Sequence, residues 1–352
     1  MDKILIAMSG GVDSSVAAWI LKEKGHDCVG AMMKLYEGGG ECESGCCSLA
    51  DAQDARIVSH RLGIPFYVFN FTSTFDERVI ERFVKAYRNG YTPNPCIDCN
   101  RFLKFERFLA RAREIDCERI ATGHYARIEQ GSGRFLLKKG ADESKDQSYV
   151  LYAMTQEQLS RTLFPLGELT KPEVREIARE RGFINAKKRD SQDICFAPDG
   201  DYAGFIERYT GDTFSRGRFI DTHGNDLGEH KGIIHYTVGQ RRGLGISAPE
   251  PLYVCEVCPQ SNTVVVGGQE LLFTKTLIAH DINLIQLTKI DAPIRVKAKI
   301  RYRHQEQPAT VWQLDEDTLR VEFKQPQRAI TKGQAVVLYD GDVVVGGGTI
   351  GG

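Results

Sequence analysis

Six residues near the start of the chain, Ser9-Gly10-Gly11-Val12-Asp13-Ser14, constrain its fold more than any other stretch. Ahead of them runs Ile4-Leu5-Ile6-Ala7-Met8, an apolar run of the kind that fills a buried strand. Behind them Val16-Ala17-Ala18-Trp19-Ile20-Leu21 carries apolar residues at helical spacing, with Gly25 as the stop. A strand, a glycine turn and a helix aim backbone N–H groups and the positive end of a helix at one point, an arrangement that holds an anion. Two adjacent glycines permit positive φ and leave the backbone open to close approach. Ser9 and Ser14 add hydroxyl donors, and Asp13 in the first helical turn is placed to help hold a hydrated Mg²⁺.

Two nucleotide loops are excluded by spelling. A Walker A loop needs Gly-Lys-Ser/Thr and this one has no lysine; a dinucleotide fingerprint needs Gly-x-Gly-x-x-Gly and only Gly10-Gly11 is present. Ser-Gly-Gly-x-Asp-Ser instead resembles the pyrophosphate loop of the PP-loop ATP pyrophosphatases. That resemblance implies ATP as substrate, adenylation of a second substrate's oxygen, and release of pyrophosphate.

The alternation continues along the chain. Cys28–Met33 reads as a second strand, Ser48 to about Leu62 as a helix stopped by Gly63, and Phe66–Phe71 as a third strand. Such alternation predicts an α/β domain, a Rossmann-like parallel sheet with helices on both faces. Ligands of these sheets bind beyond the C-terminal ends of the strands. The loop at Ser9, Met33, and Gly123 at the end of Arg119–Tyr125 all fall on that edge. A glycine at position 123 lets a base or ribose come close, whereas His124 alone has no assignment. Helices are expected at about 75–88 and 101–112. Thr170-Lys171-Pro172-Glu173 spells a capped helix start, and Gly182 its stop.

With 352 residues there is room for two or three domains. The 41% apolar and 26% charged fractions suit a soluble globular chain. No charged-then-apolar leader and no bilayer-length apolar run is present, so a cytoplasmic protein without a membrane partner is expected. At a net charge of −1, contact with nucleic acid has to come from local basic patches. Ten cysteines in such a chain point to catalysis or metal binding rather than to a disulfide framework.

In Tyr91-Thr92-Pro93-Asn94-Pro95-Cys96-Ile97-Asp98-Cys99-Asn100 the prolines keep Thr92 and Asn94 extended, and the helix expected from Arg101 begins just past Cys99. A thiol at a helix N-terminus has its thiolate stabilised, which makes Cys99 a candidate nucleophile. The competing assignment is half of a zinc site with Cys96, the other Cys-x-x-Cys pair being the distant Cys255 and Cys258. Cys195 follows Lys187-Lys188-Arg189 in a short apolar segment. Cationic neighbours lower a thiol pKa, but local context alone favours a buried small hydrophobe.

Beyond Tyr209 glycine turns and short strands take over: Arg218–Ile220, Ile233–Tyr236, Leu252–Val257 and Thr263–Val266. We expect a PP-loop domain over 1–205, a small β-rich central domain over 206–273, and a C-terminal β-barrel over 274–352. Within the barrel, Arg295, Lys297, Lys299, Arg301 and Arg303 alternate with Val296, Ala298, Ile300 and Tyr302. Period two puts all five on one strand face, either a solvated face or a contact for phosphates.

Several segments together, in order and spacing, resemble the tRNA-specific 2-thiouridylases (MnmA/TrmU). They are Ala7–Ser14, Gly45–Ser48 with Asp51 and Asp54–Arg56, Asn94-Pro95 with Cys99-Asn100, Ala121–Tyr125, Lys145–Tyr149, Ser191–Phe196 with Pro198–Tyr202, Tyr236–Gly245, and the terminal Gly-Gly-Gly-x-Ile. The resemblance implies ATP-dependent 2-thiolation of uridine at the tRNA wobble position, with Mg²⁺, tRNA and a persulfide-donating protein as partners and no DNA. It implies an ATP site of Ala7, Met8, Ser9, Gly10, Gly11, Val12, Asp13, Ser14, Met33 and Gly123. It makes Cys99 the nucleophile and Cys195 the persulfide carrier, the two closing a disulfide during turnover. Contacts to tRNA are implied for Asn94, Pro95 and Cys96 around the target base, and for His124, Lys145, Asp146, Gln147, Arg301, Tyr302 and Gln334. Many members carry Asp where Cys96 stands, so a third thiol leaves iron–sulfur ligation open, though not favoured. Another PP-loop ligase, acting on a small molecule, is the alternative; it leaves the paired thiols and the basic strand unexplained.

Overall fold

The computed structural model describes residues 2–36, 49–131, 133–188 and 194–351. They fall into two compact units, one drawing on the chain up to Val79, Cys96–Asp199 and Asp342–Val345, the other on Ile80–Pro95, Gly200–Gly341 and the chain from Gly346.

The first unit contains β1 (Lys3–Ala7), helix α1 (Val12–Glu23), β2 (Asp27–Lys34), helix α2 (Leu49–Arg61), β3 (Phe66–Asn70), β4 (Arg119–Ala121), the hairpin β5 (Ala126–Gln130) and β6 (Phe135–Lys139), and β7 (Thr162–Leu163). Strands β3-β2-β1-β4-β7 form a sheet in that order, all parallel. Ile4, Leu5 and Ile6 of the central β1 are fully buried, as expected of a strand covered on both faces. Ile4, Ile6 and Met8 pack with Val16, Ala17 and Leu21 of α1, Ala55 and Val58 of α2, and Val174 and Ala178 of the helix Lys171–Glu180. Strand order runs outward from β1 to β2 on one side and to β4 on the other. The switch point, where such folds bind ligands, therefore lies between the ends of β1 and β4. Ser9–Ser14 leaves β1 there, and Gly123 follows β4.

Two expected helices differ in detail. The one foreseen from Arg101 starts at Pro95: Pro95–Asp98 runs directly into the wider-turned Cys99–Arg107 and then Phe108–Glu114. Asp98 is itself helical (φ −62, ψ −41), so the path has no break before Cys99. Proline fits the first helical position, where its missing N–H costs nothing. The helix foreseen at 75–88 starts at Thr72 and includes a wide turn over Asp76–Ile80. Thr170 and Glu173 form the expected capping box, with Glu173 accepting from the Thr170 N–H at 2.7 Å.

The second unit holds a four-stranded sheet and a barrel. The sheet is β10 (Tyr253–Cys258), β11 (Thr263–Gly267), β8 (Gly217–Ile220) and β9 (Asp226–His230), in that order. Ile233–His235, expected as a strand, is a 3₁₀ turn, because Gly232 enters it at φ +117 and breaks the extended path. β12 (Phe273–Leu284), β13 (Ile294–Lys299), β14 (Gln307–Gln313), β15 (Leu319–Arg328), β16 (Ala335–Asp340) and β17 (Val343–Ile350) follow. Their order is β12-β15-β14-β13-β16-β17, and β12 pairs again with β17, closing a six-stranded barrel without free edges. Among the described residues no helix is long and apolar enough to cross a membrane.

The run of five cations is cut short. β13 ends at Lys299, and the chain turns, with the His304 N–H donating to the Arg301 carbonyl at 3.0 Å. Arg295, Lys297 and Lys299 share the strand face, whereas Arg301 and Arg303 lie in the turn. Lys299 is also engaged, 4.0 Å from Glu306 and over the ring of Tyr339.

Candidate active site

The glycine loop is held in one shape by side chains around it. Gly10 sits at φ +74, and a Cβ there would lie 2.3 Å from the Asp51 carbonyl oxygen of α2. Ser14 Oγ donates to the Gly11 carbonyl at 3.1 Å and accepts from the Ser9 N–H at 3.2 Å. Ser15 Oγ donates to the same Gly11 carbonyl at 3.0 Å. Asn185 Nδ2 donates to the Gly10 carbonyl at 3.0 Å and to Ser15 Oγ at 2.9 Å. Lys188 Nζ reaches Asp51 at 2.5 Å, Asp54 at 2.8 Å and the Gly10 carbonyl at 3.3 Å. Burial opposes the charge on Lys188, but its bonds to Asp51 and Asp54 prevail and hold its pKa above the ordinary value. The N-cap of α1 is Gly11, which has no capping side chain, so the first N–H groups of the helix are left for an anion.

Asp13 does not stand open for a metal ion, as the sequence suggested. Lys171 Nζ donates to both its carboxylate oxygens, at 2.7 and 2.8 Å, and the Tyr125 hydroxyl donates to one of them at 2.8 Å. The Lys171 backbone N–H is fixed in turn by Asp142 at 2.9 Å. The loop that lacks a lysine in sequence therefore receives one from the helix Lys171–Glu180. At Gly123 a Cβ would lie 2.9 Å from the backbone of Asp13 and Ser14, so the packing of the end of β4 against the loop by itself requires a glycine there. Met33 lies half-buried near the end of β2, on the same sheet edge. Ala7, Met8 and Val12 are buried and anchor the loop at either side.

His124 is buried between Phe105 and Phe164, ring centroids 5.8 Å from each, with Nδ1 2.7 Å from the Thr122 hydroxyl. Burial first, and Lys104 second, push its pKa well below the usual 6.5. The unfolded ring takes up a proton that the buried ring refuses, so stability is complete above about 6.5 and falls as pH drops below it. Urea melts at about pH 7 and about pH 5 should show a loss of up to about 1.4 kcal/mol per pH unit from this group. His124→Phe should remove that component of the slope; an unchanged slope would mean that other groups carry it. Next to His124 in sequence, the Tyr125 N–H donates to Gln147 Oε1 at 2.9 Å. Asp146 accepts from the Gly140 and Ser148 N–H groups at 3.1 and 3.0 Å. Lys145 is half-buried, its N–H donating to the Asp142 carbonyl at 3.0 Å.

Cys99 is 9% exposed, in the second turn of the helical path from Pro95. It therefore lies beyond the first turn, where the stabilisation a helix N-terminus gives a thiolate has fallen off. Asn100 beside it donates to the Val150 carbonyl at 3.0 Å, while its buried Oδ1 has no partner. Cys96 is exposed and Cys195 half-buried. Lys188, one of the three basic residues ahead of Cys195, is ion-paired with Asp51 and Asp54. None of the described cysteines is in a disulfide, Cys99 and Cys195 included. Among the described residues no group of three or more His, Cys, Asp or Glu side chains is arranged to hold a metal ion. Gly45–Ser48, the cysteines at 42, 46 and 47, and Arg189–Asp193 lie outside the described residues.

In the second unit, Arg301 and Gln334 line a surface cleft of about 290 Å³ with Thr92, Thr237, Arg328 and Thr331. Arg301 Nη1 donates to the Arg328 carbonyl at 3.1 Å, and Gln334 Nε2 to the Thr92 carbonyl at 2.8 Å. Tyr302 is 40% exposed. Asn94 is half-buried and Pro95 buried.

Sequence reasoning missed Lys171, Tyr125, Asn185 and Lys188 as parts of the site. One signal was legible: Lys171 puts a cation in the first turn of a helix, against the dipole, which calls for a nearby anion.

Family models match the chain in three consecutive blocks: a tRNA methyl transferase HUP domain over 2–199, a tRNA methyl transferase PRC-barrel domain over 203–268, and an aminomethyltransferase beta-barrel domain over 274–350. Together they define a HUP-type nucleotide-binding unit joined to two β modules. The tRNA-specific 2-thiouridylase MnmA of Clostridioides difficile is 52% identical over 352 residues, 99% of this chain and 98% of that protein. That of Lachnoclostridium phytofermentans is 52% identical over 355 residues, 99% of each chain. That of Clostridium acetobutylicum is 50% identical over 351 residues, again 99% of each. The chain belongs to the tRNA-specific 2-thiouridylase family.

Proposed function

We propose that this enzyme is a tRNA-uridine 2-sulfurtransferase, which uses ATP to replace the C2 oxygen of the wobble uridine by sulfur. The observation that carries this is the loop at the switch point, with Gly10 at φ +74 and an uncapped helix end, in a chain half identical to 2-thiouridylases along its length. A carbonyl oxygen is a poor leaving group. The C2 oxygen attacks the α-phosphorus of ATP, the α–β phosphoanhydride bond breaks, and the loop N–H groups take the charge that develops on pyrophosphate. Cys195 carries a persulfide received from a donor protein. Its terminal sulfur attacks C2, the C2–O bond breaks, and AMP leaves. The Cys99 thiolate then attacks the Cys195 sulfur, breaking the S–S bond to the base. This leaves 2-thiouridine and a Cys99–Cys195 disulfide, which an external thiol reduces. Mg²⁺ finds no open ligand in Asp13 while Lys171 and Tyr125 hold that carboxylate.

The nucleotide chemistry is assigned to residues 1–205, and tRNA contact to the barrel over 274–352, with the β-rich 206–273 between. Thiols and tRNA are both available in the cytoplasm, where we place the reaction. The direct test is ATP-dependent incorporation of labelled sulfur into unmodified tRNA; turnover of a small-molecule acceptor instead would make this a ligase. Arg301 is the cation of the cleft that we assign to a tRNA phosphate. Arg301→Ala is expected to weaken tRNA binding and to lower the log–log salt slope by about 0.7–0.9. Filter binding across a salt series measures this, and an unchanged slope would return Arg301 to a purely structural role.

A further inference from the structure

Lys188 and Asn185 lie outside the glycine loop, and the proposed chemistry gives neither a task. Both reach the same atom of the loop. Asn185, 3% exposed, donates to the Gly10 carbonyl at 3.0 Å, and Lys188 Nζ approaches that oxygen at 3.3 Å. Each donor is fixed by another bond: Asn185 to Ser15 Oγ at 2.9 Å, Lys188 to Asp51 and Asp54 at 2.5 and 2.8 Å. Their backbone is tied down as well. Arg175 Nη1 donates to the carbonyls of Ala186 and Lys188 at 3.3 and 3.2 Å.

A trans peptide carries its C=O and the following N–H on opposite sides. Holding the Gly10 carbonyl toward Asn185 and Lys188 therefore turns the Gly11 N–H the other way. In a glycine pair the flipped peptide meets little steric resistance, so the orientation has to be imposed from outside. We infer that Lys188 and Asn185 are positioning residues that lock the Gly10–Gly11 peptide with its N–H presented to the pyrophosphate of ATP. Lys188 at the same time neutralises Asp51 and Asp54, whose charges would otherwise repel a polyphosphate. This rests on the loop being a pyrophosphate cradle, and adds the residues that shape it.

The experiment is a titration of the full-length, ¹⁵N-glycine-labelled protein with inorganic pyrophosphate, following the Gly11 amide resonance. In the unmodified protein the Gly11 proton should move downfield and saturate. Lys188→Met should bind pyrophosphate about tenfold more weakly, the loss expected for one hydrogen bond to a charged group, with little Gly11 shift. Lys188→Arg should largely restore both. Since Lys188→Met takes a cation away from Asp51 and Asp54, Lys188→Met combined with Asp51→Asn keeps the net charge and separates loop geometry from folding. It should bind weakly at a near-normal melting temperature. Asn185→Asp, whose ionised form replaces the donor by an acceptor of the same shape, should likewise bind pyrophosphate weakly. No Gly11 shift in the unmodified protein would overturn the pyrophosphate assignment itself. A normal shift there, matched by Lys188→Met and Asn185→Asp, would overturn the positioning role and leave the cradle standing.

Discussion

Replacement of Cys195 by serine should abolish sulfur transfer, by about 10⁴-fold or more, as expected when the group that bears the reacting atom is removed. Binding of ATP and tRNA should be unchanged, since Asn185 and Lys188 hold the loop and the barrel cleft is lined by residues of the second unit. Cys195→Ser should carry no persulfide by mass spectrometry after incubation with a sulfur donor. Cys99→Ser should behave differently: it should load sulfur on Cys195, release pyrophosphate, and stall with tRNA linked through Cys195, a species that added dithiothreitol would free. Neither Cys99 nor Cys195 is in a disulfide. A disulfide requires Cα atoms within about 7 Å, so trapping the Cys99–Cys195 bridge by mild oxidation is an independent check. Cys96 provides the contrast. It is exposed and three residues from Cys99, and in the thiol mechanism Cys96→Ser keeps most activity. If its loss were as damaging as that of Cys99, and iron or zinc were lost with it, a metal centre would replace the persulfide pathway. Persulfide mapped to Cys99 rather than Cys195 would exchange the two roles.

What was legible in the sequence follows from how local the determinants are. β1 is central and covered on both faces, so its unbroken apolar run announces a buried parallel strand. The Thr170–Glu173 capping box needs only four neighbouring residues, and it forms as spelled. Where two meanings of one residue compete, the pattern gives the wrong weight. Pro95 keeps Asn94 extended but also suits the first helical position, and the second effect moves the helix start ahead of Cys99. Strand period two runs on past Lys299 in the letters, because Ile300–His304 contains neither glycine nor proline to mark its turn. The loop's partners were illegible for a plainer reason. Lys171 and Asp13 stand 158 positions apart, and Lys188 and Asp51 stand 137 apart. Only the folded sheet brings such pairs together, and no local spacing encodes them.

Gly10→Ala should remove ATP activation almost entirely while leaving tRNA binding in place. Two separate effects act at this position. The first is conformational: φ +74 costs an alanine about 1–2 kcal/mol. The second is steric: the new Cβ would lie 2.3 Å from the Asp51 carbonyl oxygen, a backbone atom of α2 that cannot rotate aside. Either α2 moves, breaking the Asp51 and Asp54 contacts to Lys188, or the loop leaves its left-handed conformation and swings the Gly11 N–H out of place. Gly63 separates the two effects. It has φ +64 and nothing within 4 Å of its would-be Cβ, so Gly63→Ala pays the conformational cost alone. Melting temperatures of both variants, with pyrophosphate release in the presence of tRNA, give the comparison. Gly63→Ala should lose some stability and keep near-normal release, whereas Gly10→Ala should lose release far beyond what its stability loss explains. Equal behaviour of the two would show that the contact between α2 and the loop is not what shapes the site.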